Sequence, residues 1–158
     1  MEIRQIVENK WQVRDLLFLA DEQEDMIEKY LDRGELFVCY EGGDAIAVAV
    51  VTDEGNDICE LQNLAVAPGS QRRGYGKAMV KFLFETYKSH FKTMAVGTGD
   101  SPITVPFYEA CGFSISHRLE NYMLEHYRNP IMENGIQIFD KIVLAKNLKG
   151  ESASAASN

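Results

Sequence analysis

Two arginines and two glycines stand together in the segment QRRGYG, residues 71–76. An apolar run, LQNLAVAP, precedes this segment, and a run with helical periodicity, KAMVKFLFETYK, follows it. Glycine lets the backbone approach a ligand closely, and a helix that begins here directs unpaired N–H groups and its positive dipole end toward that ligand. The segment is therefore a candidate anion-binding site. A strand-to-helix turn with solvated arginines is the alternative interpretation of the same six residues.

The spacing of these residues separates the segment from two common nucleotide-binding loops. A Walker loop has Lys and Ser/Thr directly after its second glycine, whereas Tyr75 and Gly76 follow Gly74 here. A dinucleotide-binding fingerprint has a third small residue where this chain has Met79, which is too large to bring a helix against a strand. Neither loop type is favoured.

The composition predicts one globular domain, because 46% of the 158 residues are hydrophobic and 25% are charged. We expect this domain to span residues 1–146 and the small polar residues 147–158 to form a disordered tail.

No signal-like opening or long apolar run is present, so we expect a cytoplasmic protein without a membrane partner, as a monomer or a homodimer. A net charge of −8 argues against a nucleic-acid partner. The spacing of the cysteines and histidines gives no support to a metal site.

Hydrophobic periodicity places the candidate loop within an α/β or α+β domain. The predicted order is a strand, two helices, three strands, a helix, a strand, a helix and two strands. QRRGYG lies on a strand–helix–strand crossover, between the strand DICELQNLAV and the next helix. The segment RLENYMLEHYRNPIMENG is predicted as a helical or irregular connection, and IQIFDKIVLAK as a single last strand.

Three of these segments resemble the GNAT acetyltransferase family. QRRGYG matches the family's acyl-CoA loop, Gln/Arg-x-x-Gly-x-Gly/Ala, at every fixed position. LQNLAVAP resembles the strand before that loop, and PFYEACGF resembles the family's FYxxxGF segment. With the order of elements, the resemblance covers about residues 2–146. It implies a mixed, mostly antiparallel central sheet of about seven strands flanked by helices, with a splayed strand pair that binds acyl-CoA. It also implies acetyl-CoA as cosubstrate and no metal.

In this family the CoA pyrophosphate lies over the loop and the following helix end, while the pantetheine arm pairs with the freed edge of the preceding strand. The resemblance implies cofactor contacts from the loop and helix start, from the strand, and from the later aromatic segment: Gln71, Arg72, Arg73, Gly74, Tyr75, Gly76 and Lys77; Leu64, Ala65 and Val66; and Phe107. Many members carry an asparagine after the strand at 93–98, where this chain reads GTGDSP. Asp100 or Ser101 substitutes for it, or Asp100 caps the next helix, which is the interpretation that we favour.

Acetyl transfer from a thioester to an amine requires a base for the ammonium and an acid for the thiolate. A lysine-like amine has a pKa of about 10.4, so most of it is protonated at neutral pH. The resemblance implies that Tyr108 donates a proton to the CoA sulfur; the alternative is a packing role like that of Phe107. Glu60 matches the position of the general base in the histone-modifying branch of the family. The alternative is a solvated strand residue, because its direction depends on a bulge that the sequence does not display.

The acceptor site of the family lies between the first two helices and the connection before the last strand. Those regions read DEQEDMIEKY and ENYMLEHYRNPIMENG, and the second supplies candidate wall residues: Tyr122, His126, Tyr127 and Glu133. Acidic groups there favour a cationic amine, although an acidic helix is also typical of a solvated face. We expect an acetyl-CoA-dependent N-acetyltransferase that acts on a primary amine of a small molecule or peptide by direct transfer in a ternary complex. The alternative is a non-catalytic acyl-CoA-binding sensor or assembly domain.

Overall fold

The computed structural model describes residues 1–149, which form a seven-stranded sheet with helices on both faces. The strands are β1 (Glu2–Ile6), β2 (Glu35–Glu41), β3 (Asp44–Gly55), β4 (Ile58–Val66), β5 (Thr93–Gly99), β6 (Ser114–Leu119), β7 (Ile131–Glu133), β8 (Ile136–Ile138) and β9 (Lys141–Asn147). The helices are α1 (Arg14–Ala20), α2 (Glu24–Glu28), α3 (Tyr75–Tyr87), α4 (Thr104–Cys111) and α5 (Tyr122–His126). Short 3₁₀ turns span Lys10–Val13 and Pro68–Ser70. None of the helices within this range is both long and apolar enough to cross a membrane.

The order of strands in the large sheet is β1-β2-β3-β4-β5-β9-β6, and β7 and β8 form a separate hairpin. Neighbours in the large sheet are antiparallel except for β4 and β5, which are joined by the α3 crossover and run parallel. The predicted mixed, mostly antiparallel sheet is therefore confirmed.

A core lies on each face of the sheet because the middle of β3 is buried on both sides. Alternate β3 residues contact opposite clusters: Ala49 packs under α3 and α4, and Val50 packs under α1. Leu83 of α3 and Leu17 of α1 have no exposed surface. The continuous apolar run of β3 is what a strand covered on two faces requires.

Strands β4 and β5 pair over only part of their length. The parallel ladder runs from Ile58 opposite Thr93 to Leu61 opposite Val96. Beyond that point β4 continues along β3 and β5 continues along β9. The two strands therefore diverge toward their carboxyl ends, and the splayed pair implied by the resemblance is present.

Two segments differ from the sequence-based prediction. The segment RLENYMLEHYRNPIMENG, predicted as a helical or irregular connection, contains the end of β6 and the strand β7 as well as α5. IQIFDKIVLAK is not one strand: β8 ends at Ile138 and β9 begins at Lys141, because Asp140 leaves the ladder to accept hydrogen bonds from Arg118 and from the Asn121 N–H. Regular structure continues one residue past 146, because β9 ends at Asn147. Leu148 is buried and donates its N–H to the Lys92 carbonyl at 2.8 Å. Of the tail predicted over residues 147–158, residues 150–158 lie outside the described part of the chain.

Candidate active site

The amino end of α3 presents unpaired backbone donors. Gly74 precedes the helix with φ of +85°, in the left-handed region that favours glycine. Within residues 1–149, the N–H groups of Gly74, Tyr75, Gly76 and Lys77 have no hydrogen-bond acceptor. These donors belong to the first turn of a 13-residue helix, where the helix dipole adds partial positive charge. The local geometry fits the anion site predicted from QRRGYG.

Three contacts hold this loop against its neighbours. The Gln71 side-chain amide donates to the Val66 carbonyl at 3.0 Å, and the Tyr75 hydroxyl donates to Glu41 at 2.9 Å. A Cβ on Gly76 would lie 3.1 Å from Phe107 Cζ, so α3 and α4 approach closely there. The predicted loop residues are thus fixed in place by packing, while Arg72, Arg73 and Lys77 are exposed. These cations are available to a phosphate.

The open edge of β4 exposes backbone groups in alternation. The Ala67 N–H donates to the Ile46 carbonyl of β3, and the same register sets Ala65 opposite Val48. In an antiparallel ladder, the N–H and C=O groups of successive residues point to opposite sides. Those of Ala65 therefore pair with β3, whereas those of Leu64 and Val66 point to the open side. The expectation that Ala65 supplies backbone bonds to the cofactor is corrected accordingly.

A cavity of about 710 Å³ opens where β4 and β5 diverge. Its walls come from β4 and β5, from the end of α1 and α2, and from the connection between β6 and β9. Glu60 and Tyr108, the predicted base and acid, both line it. Most of the predicted acceptor-wall residues line it as well: Tyr122, Tyr127 and Glu133. His126 does not; it is exposed and stacks on the Tyr122 ring at a centroid distance of 3.9 Å.

Tyr108 is held by aromatic packing with its hydroxyl unpaired. The ring makes edge contacts with Phe107 and Phe113 at centroid distances of 5.1 and 5.7 Å. Only 9% of the residue is exposed, and its hydroxyl has no hydrogen-bond partner within residues 1–149. Burial raises the pKa of the phenol well above its ordinary value. Tyr108 is therefore protonated at neutral pH and free to donate.

Glu60 is turned toward the cavity by a β-bulge in β4. The register with β3 shifts between the pairs Val50–Asn63 and Val51–Leu61, which leaves Gln62 as the extra residue. The Glu60 carboxylate is half-buried and makes neither a hydrogen bond nor an ion pair with residues 1–149. Burial raises the pKa of this carboxyl, and the positive charge of Lys141 offsets part of that increase. Glu60 is thus a stronger base than an exposed glutamate.

Ser101, and not Asp100, caps the helix that follows β5. The Ser101 hydroxyl accepts from the N–H groups of Ile103 and Thr104, the latter the first residue of α4, at 3.0 and 3.2 Å. It also donates to Glu133. Asp100 instead accepts from Arg118 at 2.6 Å. The favoured interpretation, that Asp100 caps this helix, is therefore wrong, and both side chains are engaged by protein groups.

A hydrogen-bonded network crosses the acceptor side of the cavity. The Asp21 carboxylate accepts from the Tyr30 hydroxyl at 3.0 Å and from the Tyr127 hydroxyl at 2.9 Å. The Asn63 amide of β4 donates to the Tyr30 oxygen and to the Leu17 carbonyl. Burial raises the pKa of Asp21, and the two phenol hydrogen bonds oppose that increase. The network ties β4, the first two helices and the segment after α5 together.

Gln23 adds a second connection between the same two walls. Its side chain accepts from the Arg128 N–H at 2.9 Å and donates to the His126 carbonyl at 3.3 Å. Arg128 also pairs with Asp25 at 2.6 Å, but both side chains are largely exposed, so this ion pair contributes little. The buried contacts of Gln23 and Asp21 are the ones that fix the segment.

Sequence reasoning missed Asp21, Tyr30, Asn63 and Lys141, all of which line the cavity. They come from separate parts of the chain, and no motif joins them. The acidic character of DEQEDMIEKY was the one available signal, and it did not distinguish the half-buried Asp21 from its exposed neighbour Glu22.

A helix end with unpaired N–H groups, an open strand edge, and a carboxylate and a phenol in one cavity are the parts that an acyltransferase using a CoA thioester requires. Residues 2–113 match the family model described as "Acetyltransferase (GNAT) family". The chain belongs to the GNAT family and is an acetyltransferase.

Relatives and solved structures agree with this assignment. The uncharacterized N-acetyltransferase YvbK of Bacillus subtilis (strain 168) is 36% identical over 136 residues, which cover 85% of this chain and 88% of that protein. A GNAT family acetyltransferase of Elizabethkingia anophelis with acetyl-CoA bound is 30% identical with a TM-score of 0.88, over 92% of this chain and 97% of that one. A Bacillus subtilis acetyltransferase in complex with CoA is 34% identical with a TM-score of 0.86, over 92% of this chain and 97% of that one.

Proposed function

We propose that this protein is an acetyl-CoA-dependent N-acetyltransferase that acetylates a primary amine of a small molecule or peptide by direct transfer within a ternary complex. One observation carries the proposal: Glu60 and Tyr108, a carboxylate and a phenol with no hydrogen-bonding partner among residues 1–149, line the same cavity where β4 and β5 diverge. Burial raises the pKa of both groups, which makes Glu60 a better proton acceptor and keeps Tyr108 protonated at neutral pH.

The cosubstrate is assigned to the groove that ends in this cavity. The four unpaired N–H groups from Gly74 to Lys77 would bind the pyrophosphate, with Arg72 and Arg73 supplying charge. The backbone groups of Leu64 and the N–H of Val66 would pair with the pantetheine arm, since the Val66 carbonyl already accepts from Gln71. The complexes of the two related acetyltransferases with acetyl-CoA and CoA support this assignment.

Glu60 and Tyr108 would divide the proton transfers of the reaction. Glu60 removes a proton from the substrate ammonium, directly or through a water molecule, so that the nitrogen lone pair attacks the thioester carbon. As the carbon–sulfur bond breaks, Tyr108 donates its proton to the departing thiolate. The nitrogen of the tetrahedral intermediate loses its second proton to solvent as the amide forms. The products are an N-acetyl amide and CoA with a free thiol; Glu60 then releases its proton to solvent, and solvent restores the proton of Tyr108, so that one proton is released overall.

The proposal is tested by the release of CoA thiol from acetyl-CoA in the presence of polyamines, aminoglycosides, amino acids and peptides. We expect release that depends on one class of amine and exceeds the rate without amine. Tight binding of acetyl-CoA without turnover on any amine would instead indicate the sensor or assembly domain.

A further inference from the structure

Lys141 brings a cation into the cavity from the first position of β9. Its backbone lies opposite Gly99 of β5, and its side chain runs across Gly97 of the same strand. A Cβ on Gly97 would lie 2.0 Å from Lys141 Cε and 3.0 Å from Nζ. Any larger residue at position 97 would displace the lysine. The glycine therefore gives the ammonium its path into the cavity.

The Lys141 ammonium has no hydrogen-bonding partner in the described part of the chain. Nζ lies 4.4 Å from the centroid of the Tyr122 ring, which faces it as a cation–π partner. No carboxylate among residues 1–149 comes within 4.0 Å of it, and no carbonyl accepts its protons. Lys10, by contrast, donates to three backbone carbonyls. Three donors on a half-buried ammonium thus point into the cavity without an acceptor.

The Lys141 ammonium lies on the side of the cavity where we expect the reacting amine. Its positive charge lowers the pKa of both Asp21 and Glu60, although neither carboxylate is close enough for an ion pair. It therefore lies on the acceptor side, near the group that we propose as the base. A fully cationic acceptor would place its charge against Lys141.

We propose that Lys141 binds a carboxylate of the acceptor, so that the acceptor is an amino acid with a free carboxylate beside its primary amine. This inference rests on the proposed function and names its substrate class. Four carboxylates line the cavity, Asp21, Glu22, Glu60 and Glu133, against three cations, Lys29, Arg33 and Lys141. This net negative balance favours a single rather than a double negative charge on the acceptor. A carboxylate fits this balance better than a phosphate. The same four groups attract the ammonium end of a zwitterion.

The test compares amino acids with their carboxamides, which keep the amine and lose only the negative charge. Binding of the twenty standard L-amino acids and of the matched amides is measured by calorimetry on the full chain saturated with CoA. We expect the preferred amino acid to bind roughly 10- to 100-fold more tightly than its amide, the usual range for a hydrogen bond between charged groups. Lys141→Met should reduce this ratio to below about threefold, whereas Lys141→Arg should retain part of it.

Two further variants separate the position of the charge from its presence. Lys146→Met removes a lysine of the same strand whose Nζ lies 5.7 Å from the Phe84 ring and which does not line the cavity, so the ratio should stay as in the wild type. Gly97→Ala keeps the Lys141 ammonium but displaces it, so the ratio should fall as in Lys141→Met. Steady-state kinetics should show the loss in KM for the amino acid and not in kcat.

Equal affinity for the acid and the amide, or failure of the CoA-saturated wild type to bind any L-amino acid, would overturn the inference. An equal loss of kcat for acid and amide in Lys141→Met would also overturn it, since the ammonium would then act in the chemistry. Acetylation of amines without a carboxylate as efficiently as of amino acids would leave the proposed function intact and overturn this inference. Selective binding of an amino acid without acetyl transfer would overturn the proposed function and, with it, the role of that amino acid as acceptor, leaving only the binding of a carboxylate by Lys141.

Discussion

The hydrogen bond from Tyr127 to Asp21 is expected to hold the acceptor wall in place, and Tyr127→Phe removes it alone. The bond is 2.9 Å long and joins residues 106 positions apart. Both side chains are partly buried, so water does not readily replace the lost donor. After the substitution Asp21 keeps one phenol partner, Tyr30, at 3.0 Å.

The cost of this substitution follows from the charge on Asp21. A hydrogen bond to a charged group contributes about 1.5–3 kcal/mol, whereas one between neutral groups contributes about 0.5–1.5 kcal/mol. We therefore expect Tyr127→Phe to lower the free energy of unfolding by about 1.5–3 kcal/mol at pH 7. For a domain of this size that corresponds to a fall in Tm of roughly 3–12 °C.

The sign of the pH dependence follows from the raised pKa of Asp21. Its carboxylate is ionised above that folded-state pKa, where the donated hydrogen bond is strongest, and neutral below it. The difference in Tm between wild type and Tyr127→Phe should therefore be largest at pH 7 and shrink as the pH falls to 4. Thermal unfolding followed by circular dichroism across this range measures it.

Tyr122→Phe is the matched control, because it removes the same atom from the same wall. The Tyr122 hydroxyl makes no hydrogen bond with residues 1–149, so its loss should change the stability by less than about 0.5 kcal/mol. Equal changes in Tm for the two variants would refute the reasoning about Asp21, as would a difference that grows toward acid pH.

Two other substitutions test the chemistry and the cosubstrate site. Glu60→Gln should lower kcat by roughly 10²- to 10⁴-fold. It should also abolish the rise of kcat with pH that the raised pKa of Glu60 predicts. An unchanged pH–rate profile would exclude this residue as the base. Because burial disfavours the ionised form, the same variant should also have a higher Tm than the wild type at pH 7, and the gain should disappear at acid pH. Gly76→Val should weaken acetyl-CoA binding by at least about tenfold in calorimetry, since its Cβ would lie 3.1 Å from Phe107 Cζ at the helix end that we assign to the pyrophosphate. Gly69→Ala, with nothing within 4 Å of the new Cβ, should bind normally, and equal affinities would argue against that site.

Features with a local cause could be predicted from the sequence. QRRGYG places glycine at the left-handed position before α3, and the residue types alone predict a helix end with free N–H groups. Alternation along LQNLAVAP gave β4. Tyr108 could be identified because the aromatic residues around it repeat a family segment. In each case the signal lies within about ten residues of the feature it predicts.

Features made by distant contacts could not be predicted. The direction of Glu60 depends on the bulge at Gln62, which exists only in the register with β3. The break between β8 and β9 depends on Arg118 and Asn121 reaching Asp140. The place of Lys141 in the cavity depends on Gly97 of another strand. Propensity and periodicity carry no information on such pairings.

The most direct test of the central claim is the acetyl transfer catalysed by Tyr108→Phe. The substitution removes one unpaired oxygen and keeps the aromatic packing, so the fold should not change. We predict that kcat falls by roughly 10²- to 10⁴-fold while the Kd for acetyl-CoA stays within about twofold. Tyr40→Phe, at a phenol that does not line the cavity, should transfer at the wild-type rate. Unchanged turnover in Tyr108→Phe would contradict the account of this site as an acid–base pair.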